Sequence, residues 1–422
     1  MKILITLTMV IVVMSIQTMT AQTWSQQTSG TDSTLHDVCF VNQDKGFACG
    51  ENGIVLKTTN GGTNWVSLTT GITDGLQVIK FLNADSGFVC GSSGGMLLKT
   101  VNGGISFNNI GPNLPGRSNG GMWFTSITTG CIAVGSNYSS SKILKTNNGG
   151  ASWDTVYSGS NWISYFYFSD ATHGWATASG GVVLKTTDGG NNWTTLNMGG
   201  NYWMSGVYFF DPTNGLVGGG YQTTGSFPTM WKTTDSGINW GPVFTQSSTD
   251  WVGISKIVFS GINIGFAINA TSTGAGTLLK TTNGGSSWAT EATPKGNLRG
   301  LSFTGLSNGY TVGDGGIILK FSGATDVLNN GTSLPVSFSL SQNYPNPFNP
   351  STTIEYSLRE NSHARISIFD VLGKEITTLV DEEKPAGSFT IKFNANNLTS
   401  GIYFYRLQTG EFTQTRKLIL LQ

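Results

Sequence analysis

The sequence predicts an all-β protein, a seven-bladed β-propeller followed by a small Ig-like β-sandwich. Two repeated patterns carry the propeller part of that prediction. A turn motif, Thr-x-Asn/Asp-x-Gly-x-x-aromatic, occurs six times, each time behind a short apolar run. A second pattern, Phe followed by five residues and then Gly, occurs seven times. Repeats of about 40–45 residues with such turns are typical of propeller blades, each made of four strands.

Each turn motif predicts a β-hairpin in which the Asn or Asp side chain caps backbone groups and a Gly adopts a positive φ angle. The aromatic residue opens the return strand and packs its ring between layers. We expect the Asn and Asp residues to cap their own hairpins rather than to bind a ligand; they are Asn60, Asn102, Asn148, Asp188, Asp235 and Asn283.

Each Phe of the second pattern ends a predicted strand that has another apolar residue two positions earlier, the periodicity of a half-buried strand. The pairs are Phe40/Gly46, Phe81/Gly87, Phe124/Gly130, Phe168/Gly174, Phe209/Gly215, Phe259/Gly265 and Phe303/Gly309. The seventh repeat ends near Lys320 without a turn motif, whereas an unmatched Trp24 stands near the start of the chain. We therefore expect the strand at Trp24 to pair with the strand ending at Lys320, which closes the ring and covers its edges.

Residues 1–21 have the features of a secretory signal peptide, with an early Lys2, an apolar run and small residues before Ala21. The alternative is a membrane anchor, for which the apolar run is short. No later segment is apolar enough to cross a membrane, so we predict no transmembrane span in the mature chain. We place the propeller at residues 22–325, a linker at 326–337 and a C-terminal domain at 338–422.

The composition excludes some functions. The 23 Lys and Arg residues balance 23 Asp and Glu residues, and no basic stripe indicates a nucleic-acid partner. The 3 His residues show no metal-ligand spacing, so we predict no metal and no cofactor. The cysteines are either buried free thiols, which we favour, or include a disulfide; they are Cys39, Cys49, Cys90 and Cys131.

The repeated turns resemble those of Asp-box (BNR-like) propellers, and the repeats are most similar to the family of the photosystem II stability and assembly factor. Sialidases, xyloglucanases and sortilin-like receptors carry the same turn. In those families the Asp-box is a structural turn on the outside of the blade, away from any active site. The resemblance therefore implies a fold rather than a function.

The sequence of the C-terminal domain predicts short alternating strands that are separated by Pro and Gly residues. This pattern favours a small antiparallel sandwich. It resembles the C-terminal sorting domain of the type IX secretion system; the matching segments are residues 344–348, 368–374, 386–387, 398–403 and 417–418. The resemblance implies that the type IX secretion machinery is a partner and that the domain is removed. It also implies export across the outer membrane of a Gram-negative bacterium, with the mature protein released or attached at the cell surface. The alternative is an ordinary adhesive sandwich domain.

Enzymatic activity finds little support in the sequence. Sialidases clamp a carboxylate with three Arg residues, whereas residues 22–325 contain only Arg117 and Arg299, which excludes that activity. A glycosidase needs two carboxyl groups that face each other across a cleft, and no pattern brings two together. We predict a non-enzymatic binding or scaffold module; the alternative is a secreted carbohydrate-active hydrolase of the xyloglucanase type.

A ligand site is predicted at one mouth of the propeller channel. The side chains four positions before each motif Phe are expected to line this channel, with His36 and Arg299 as neighbours across the ring closure. Aromatic residues just upstream of three first strands are expected to cluster at the mouth and to bind a saccharide or an extended peptide; they are Trp162, Tyr202, Trp203 and Trp251. The alternative is that these rings pack between blades.

Overall fold

The protein is described by a computed structural model that is built almost entirely of strands, in agreement with the predicted all-β class. It describes residues 23–421 except 93–94, 113–116, 137–139, 201, 222–224, 249–251, 272–275, 293–295, 306–307, 323–337, 344–345, 386 and 411. Its helical elements over these residues are two single 3-10 turns, Glu51–Gly53 and Asp314–Gly316. No described helix has the length and hydropathy that a membrane crossing requires.

Strand β1 (Thr23–Gln27) precedes a series of antiparallel sheets, each made of four consecutive strands. The first is β2 (Leu35–Phe40), β3 (Gly46–Gly50), β4 (Val55–Thr58) and β5 (Val66–Leu68). The second is β6 (Leu76–Phe81), β7 (Gly87–Gly91), β8 (Leu97–Thr100) and β9 (Asn108–Asn109). The third is β10 (Arg117–Phe124), β11 (Gly130–Ser136), β12 (Ser140–Thr146) and β13 (Asp154–Gly159). The fourth is β14 (Ile163–Phe168), β15 (Gly174–Ala178), β16 (Val182–Thr186) and β17 (Thr194–Asn197).

Two further groups of four strands follow and are joined through the end of β19, because Gly220 and Tyr221 also pair with β22. The first group is β18 (Trp203–Phe209), β19 (Gly215–Tyr221), β20 (Gly225–Thr233) and β21 (Gly241–Ser248). The second is β22 (Val252–Phe259), β23 (Gly265–Thr271), β24 (Thr277–Thr281) and β25 (Ala289–Ala292). The last sheet consists of β26 (Leu298–Phe303), β27 (Asn308–Gly313), β28 (Ile318–Ser322) and β1.

The expected ring closure is confirmed, because β1 pairs with β28 and places Trp24 opposite Phe321. The Trp24 ring lies 5.7 Å from the ring centre of Phe266 and 5.2 Å from that of Phe321. The strands that open the successive sheets, here called the first strands, are β2, β6, β10, β14, β18, β22 and β26. Each contacts the next, and β26 contacts β2. The sheets therefore form a closed, propeller-like ring with the first strands innermost.

The Phe and Gly of the second pattern lie directly opposite each other, and their packing explains the motif. Phe81 pairs with Gly87, and a Cβ atom on Gly87 would lie 2.5 Å from the Phe81 ring. On its other face the Phe81 ring stacks on Phe47 of the preceding sheet, with ring centres 3.5 Å apart. The Phe thus fills the space that the Gly leaves and joins adjacent sheets, so only Gly fits opposite it.

We expect Gly174→Ala to lower the free energy of unfolding of the propeller by about 1–3 kcal/mol, the usual cost of overpacking. Its Cβ atom would lie 2.6 Å from the buried Phe168 ring. Gly241→Ala is the matched control, because nothing lies within 4 Å of its Cβ position, and its effect should stay within about 0.5 kcal/mol. Tryptophan fluorescence during denaturation measures both, since all 12 Trp residues lie between positions 24 and 288. Equal stability of the two variants would contradict this account of the motif.

Lysines connect neighbouring sheets. The Lys before the turn Thr reaches the turn motif of the following sheet in three repeats. Lys57 Nζ donates to Gly103 O at 2.8 Å, Lys145 Nζ to Asn191 Oδ1 at 2.7 Å and Lys232 Nζ to Gly284 O at 2.8 Å. Lys320 Nζ donates in the same way to Gly61 O of the first sheet at 2.8 Å, across the ring closure. Lys280 faces the sheet that lacks the turn motif and pairs with Glu291 at 3.5 Å. The turn motif therefore serves contacts between sheets as well as its own hairpin.

The C-terminal part contains two antiparallel sheets around one hydrophobic cluster that includes Phe348, Ile366 and Tyr405. The smaller sheet has β29 (Ser339–Leu340), β30 (Ser351–Leu358) and β33 (Gly387–Asn394). The larger has β31 (Ser362–Phe369), β32 (Glu375–Lys384), β34 (Gly401–Thr409) and β35 (Phe412–Leu420). Asn346 Oδ1 accepts a hydrogen bond from the Ile419 N–H at 2.8 Å, which ties the Pro-rich segment to the final strand.

Candidate functional site

The turn residues are engaged within their own hairpins. Thr58 Oγ1 donates to Asn60 Oδ1 at 3.0 Å, and the same oxygen accepts from Asn64 N–H at 3.0 Å. Equivalent bonds form at Asn102, Asn148, Asp188, Asp235 and Asn283. Desolvation acts to raise the pKa of Asp188, but hydrogen bonds from Asn192, Thr186 and Asn191 outweigh it and lower that pKa to about 2.

His36 in β2 and Arg299 in β26 occupy corresponding positions of their strands. Each of the two side chains pairs with a carboxylate. His36 Nε2 lies 2.6 Å from Glu51 Oε1. Arg299 Nε donates to Asp314 Oδ1 at 2.8 Å, and the Arg299 side chain is 41% exposed. Their strands β2 and β26 are neighbours. The His36 and Arg299 side chains therefore already have carboxylate partners within the chain.

The predicted aromatic residues differ in their exposure. Trp162 is only 7% exposed. The Tyr202 ring lies 4.7 Å from the Trp231 ring centre and packs against the hydrophobic cluster around Trp231. Trp203 is partly exposed. The backbone of Ser179 links Trp203 and Trp162: it forms a β-bridge with Trp203, and its N–H donates to Trp162 O at 2.9 Å. Trp251 lies outside the described residues, so the complete cluster stays a prediction.

The register of the first strands differs from the strict alternation on which the expected channel lining was based. A β-bulge interrupts the first strands at the position four residues before the motif Phe, as at His36 in β2 and Ser255 in β22. The Oγ atoms of Ser164 and Ser255 are buried. Contacts between different first strands place residues one and three positions before the Phe inside the ring.

Two buried side chains and the partly buried Tyr165 meet inside the ring at the position three before the Phe. Lys256 Nζ donates to Asp37 Oδ1 at 2.7 Å, and Asp37 and Lys256 are 4% and 8% exposed. The ammonium also lies 4.8 Å from the ring centre of Tyr165. The contact between β22 and β2 spans the intervening β26. In β26, Gly300 lies so close to Asp37 that a Cβ atom on Gly300 would be 2.6 Å from the Asp37 Cα atom. We call Asp37, Tyr165 and Lys256 the channel triad.

The triad is a charged group held in the protein interior. Burial acts to lower the pKa of Lys256, but the negative charge of Asp37 and the contact with Tyr165 outweigh it, so that pKa is raised. Burial raises the pKa of the Tyr165 hydroxyl. Asp37 Oδ2 also accepts a hydrogen bond from the Ile79 N–H at 3.3 Å. Lys256 is therefore an ammonium ion at neutral pH, which suits a structural pair and not a nucleophile.

The position directly before the Phe forms a second level, with partly exposed side chains. Lys80 Nζ lies 4.3 Å from the Trp123 ring centre. The Trp123 and Tyr167 ring centres are 5.5 Å apart, and those of Tyr167 and Tyr208 are 5.0 Å apart. These four residues come from consecutive first strands, and we call them the channel arc. Sequence reasoning missed it, although an aromatic residue or Lys before each of four motif Phe residues was visible.

Other reactive groups are already engaged or protonated. The four cysteines are free thiols, and burial raises the pKa of Cys39 and Cys49 and raises that of Cys131 to about 12. Asp170 accepts hydrogen bonds from Thr172 and His173 within its turn. Within the described ranges, no group of three or more His, Cys, Asp or Glu residues is placed to hold a metal ion.

The fold and tail define a class of protein, a propeller-like ring followed by a small β domain with sorting-domain motifs. Residues 342–421 match the family of the secretion system C-terminal sorting domain. Residues 16–163 match the family of photosynthesis system II assembly factor YCF48. Both resemblances seen in the sequence are thereby confirmed. The sorting-domain match implies export and a place at the cell surface or outside the cell. A comparison with curated proteins found no match.

Solved structures with a similar fold include two of YCF48. The first, YCF48 bound to D1 peptide, has 19% identity and a TM-score of 0.58, covering 72% of this chain and 97% of that one. YCF48 from Cyanidioschyzon merolae has 21% identity and a TM-score of 0.53, covering 71% and 98%. A GH74 enzyme from Niastella koreensis has 13% identity and a TM-score of 0.57, covering 93% and 67%. At these identities the likeness shows the propeller fold alone.

Proposed function

We propose that this protein is an exported, non-enzymatic binding module, a seven-bladed propeller delivered by an Ig-like sorting domain at its C-terminus. The observation that carries the proposal is the sorting-domain match at residues 342–421. The ring of first strands and its closure by β1 support the blade count. The tail's two sheets around one hydrophobic cluster support the Ig-like assignment. Signal-peptide export followed by outer-membrane translocation through the type IX machinery would place the propeller outside a Gram-negative cell.

The ligand we favour is an extended peptide segment of another protein. A propeller of the same fold has been solved with a peptide, namely YCF48 bound to D1 peptide. The partly exposed aromatic side chains inside the ring supply a surface of the kind that peptides contact. A saccharide is the competing ligand, at the same channel or at the rim near Trp203.

Removal of residues 338–422 tests the delivery. The truncated chain should remain in the periplasm while the full-length chain leaves the cell, because the sorting signal lies in the removed part. Immunoblots of periplasm, cell surface and medium measure the distribution, with Gly241→Ala in the full-length chain as a control that leaves the tail intact. Truncated protein outside the cell at the full-length level would overturn the proposal.

The hydrolase alternative has one supporting observation, the fold shared with a GH74 enzyme. Against it, the described Asp37 and Asp314 are already paired with Lys256 and Arg299. The mature chain incubated with xyloglucan should release no reducing ends above the blank. Release that follows enzyme concentration would replace the binding module with the hydrolase.

A further inference from the structure

The channel is asymmetric at the level of the channel arc. Four consecutive first strands contribute the large side chains of the arc: Lys80, Trp123, Tyr167 and Tyr208. The three remaining first strands contribute small side chains at the same position: Val258, Ser302 and Cys39. Large groups on one side, whose three rings form an aromatic wall, therefore face small groups on the other.

The channel triad lies next to the channel arc in the ring interior. Asp37 and Tyr165 lie two residues before Cys39 and Tyr167 on the same strands, a separation of about 7 Å along a strand. Because Asp37 and Lys256 are almost fully buried and bonded to each other, they form a floor rather than a passage. The partly exposed arc and the buried Asp37–Lys256 pair are therefore adjacent levels of the ring interior.

We propose that the ring interior beside the channel arc forms a recess that binds a peptide segment in which an apolar or aromatic side chain stands next to a carboxylate. The inference rests on the proposed function and names its site. The ring of the peptide side chain would pack on Trp123, Tyr167 and Tyr208, since tilted aromatic contacts are favourable. The carboxylate would pair with Lys80, which makes no ion pair with any carboxylate of the described residues. Lys80 is held over the Trp123 face, where a cation is already stabilised.

The small side chains opposite the arc, Val258, Ser302 and Cys39, favour a peptide over a saccharide. Ser302 Oγ accepts a hydrogen bond from the Phe40 N–H at 3.0 Å, and Cys39 Sγ accepts one from the Phe81 N–H at 3.4 Å. Val258 offers no polar group. A buried sugar ring needs partners for several hydroxyl groups, and each one left without a partner costs free energy. One apolar side chain and one carboxylate need only the aromatic wall and Lys80.

The test measures binding to the mature full-length chain by tryptophan fluorescence and calorimetry. The probes are acetylated, amidated hexapeptides of sequence Gly-Ser-Phe-Glu-Ser-Gly and Gly-Ser-Phe-Gln-Ser-Gly, and a trimer of galacturonic acid. We expect saturable binding of the Phe-Glu peptide, about tenfold tighter than that of the Phe-Gln peptide. Lys80→Gln should remove the difference between the two peptides, and Lys80→Arg should retain it.

Lys142→Gln is the matched control, because Lys142 is an exposed residue of β12 and the variant loses the same charge; the peptide preference should be unchanged. Absence of peptide binding at millimolar concentration, or an equal preference in the wild-type and Lys80→Gln chains, would overturn the site. Lys80-dependent binding of the galacturonic acid trimer without peptide binding would also overturn it, in favour of an anionic saccharide. None of these results bears on the export of the chain. The proposed function is tested separately, by the removal of residues 338–422.

Discussion

Replacing Asp37 with Asn is expected to lower the free energy of unfolding of the propeller by about 3–5 kcal/mol, because the charge of Lys256 is left buried without its counter-ion. The two side chains are 4% and 8% exposed, and their 2.7 Å bond joins strands that are not neighbours in the ring. Lys256→Met should cost a similar amount, since it leaves the Asp37 carboxylate buried without its counter-ion. Denaturation followed by tryptophan fluorescence reports on the propeller alone.

The double variant Asp37→Asn, Lys256→Met separates the pair from other effects. It should be less destabilised than the sum of the single variants, because it leaves no unpaired charge. Arg299→Gln provides the control: this residue pairs with Asp314 at a site where the side chains are 41% and 32% exposed, so its loss should cost at most about 1 kcal/mol. Additive single effects would contradict a direct interaction inside the ring.

The raised pKa of Lys256 determines how the contribution of the Asp37–Lys256 pair to the free energy of unfolding depends on pH. A group whose pKa is higher in the folded protein stabilises it fully below its ordinary pKa, here 10.5, and loses that effect as the pH rises through the folded value. The Lys256→Met variant should therefore differ from the wild type by a constant amount between pH 7 and 9. The difference should shrink only above about pH 10.5.

The repeated local patterns of the sequence predicted most of the fold. Each turn motif contains all the atoms of its own hydrogen bonds, as Thr58, Asn60 and Asn64 illustrate. The Phe and Gly pairs, such as Phe81 and Gly87, are also close in sequence and directly opposite in the sheet. Even the distant pairing of β1 with β28 was predictable, because the last repeat lacked its fourth strand and an unmatched strand with Trp24 stood near the start of the chain.

The interior of the ring was not predictable, for two physical reasons. Strict alternation does not anticipate the bulge at His36 and its counterparts, and no residue type marks that bulge. In addition, Asp37 and Lys256 are 219 residues apart, so only the closed ring brings them together. Exposure was equally hidden: Trp162 and Trp203 are similar in sequence context, yet Trp162 is buried.

The second large effect is expected when residues 22–30 are deleted. This change removes β1 and leaves the outer edge of β28 unpaired, and it withdraws the Trp24 ring from Phe266, Phe303 and Phe321. An opened ring loses both the edge hydrogen bonds and the packing between its first and last sheets. We expect the fluorescence unfolding transition of the shortened chain to move to much lower denaturant or to lose its cooperativity.

Point variants separate the contributions of the strand and of the ring. Trp24→Ala keeps the backbone pairing and should cost less than the deletion, at or below the roughly 3–5 kcal/mol of a fully buried Trp. Ser25→Ala, at an exposed position of β1, should stay within about 0.5 kcal/mol. A synthetic peptide of residues 22–30 added to the shortened chain should restore part of the stability, because an unpaired edge accepts a strand. If the shortened chain unfolds at the same denaturant concentration as the full one, β1 does not hold the ring closed and β28 tolerates an open edge.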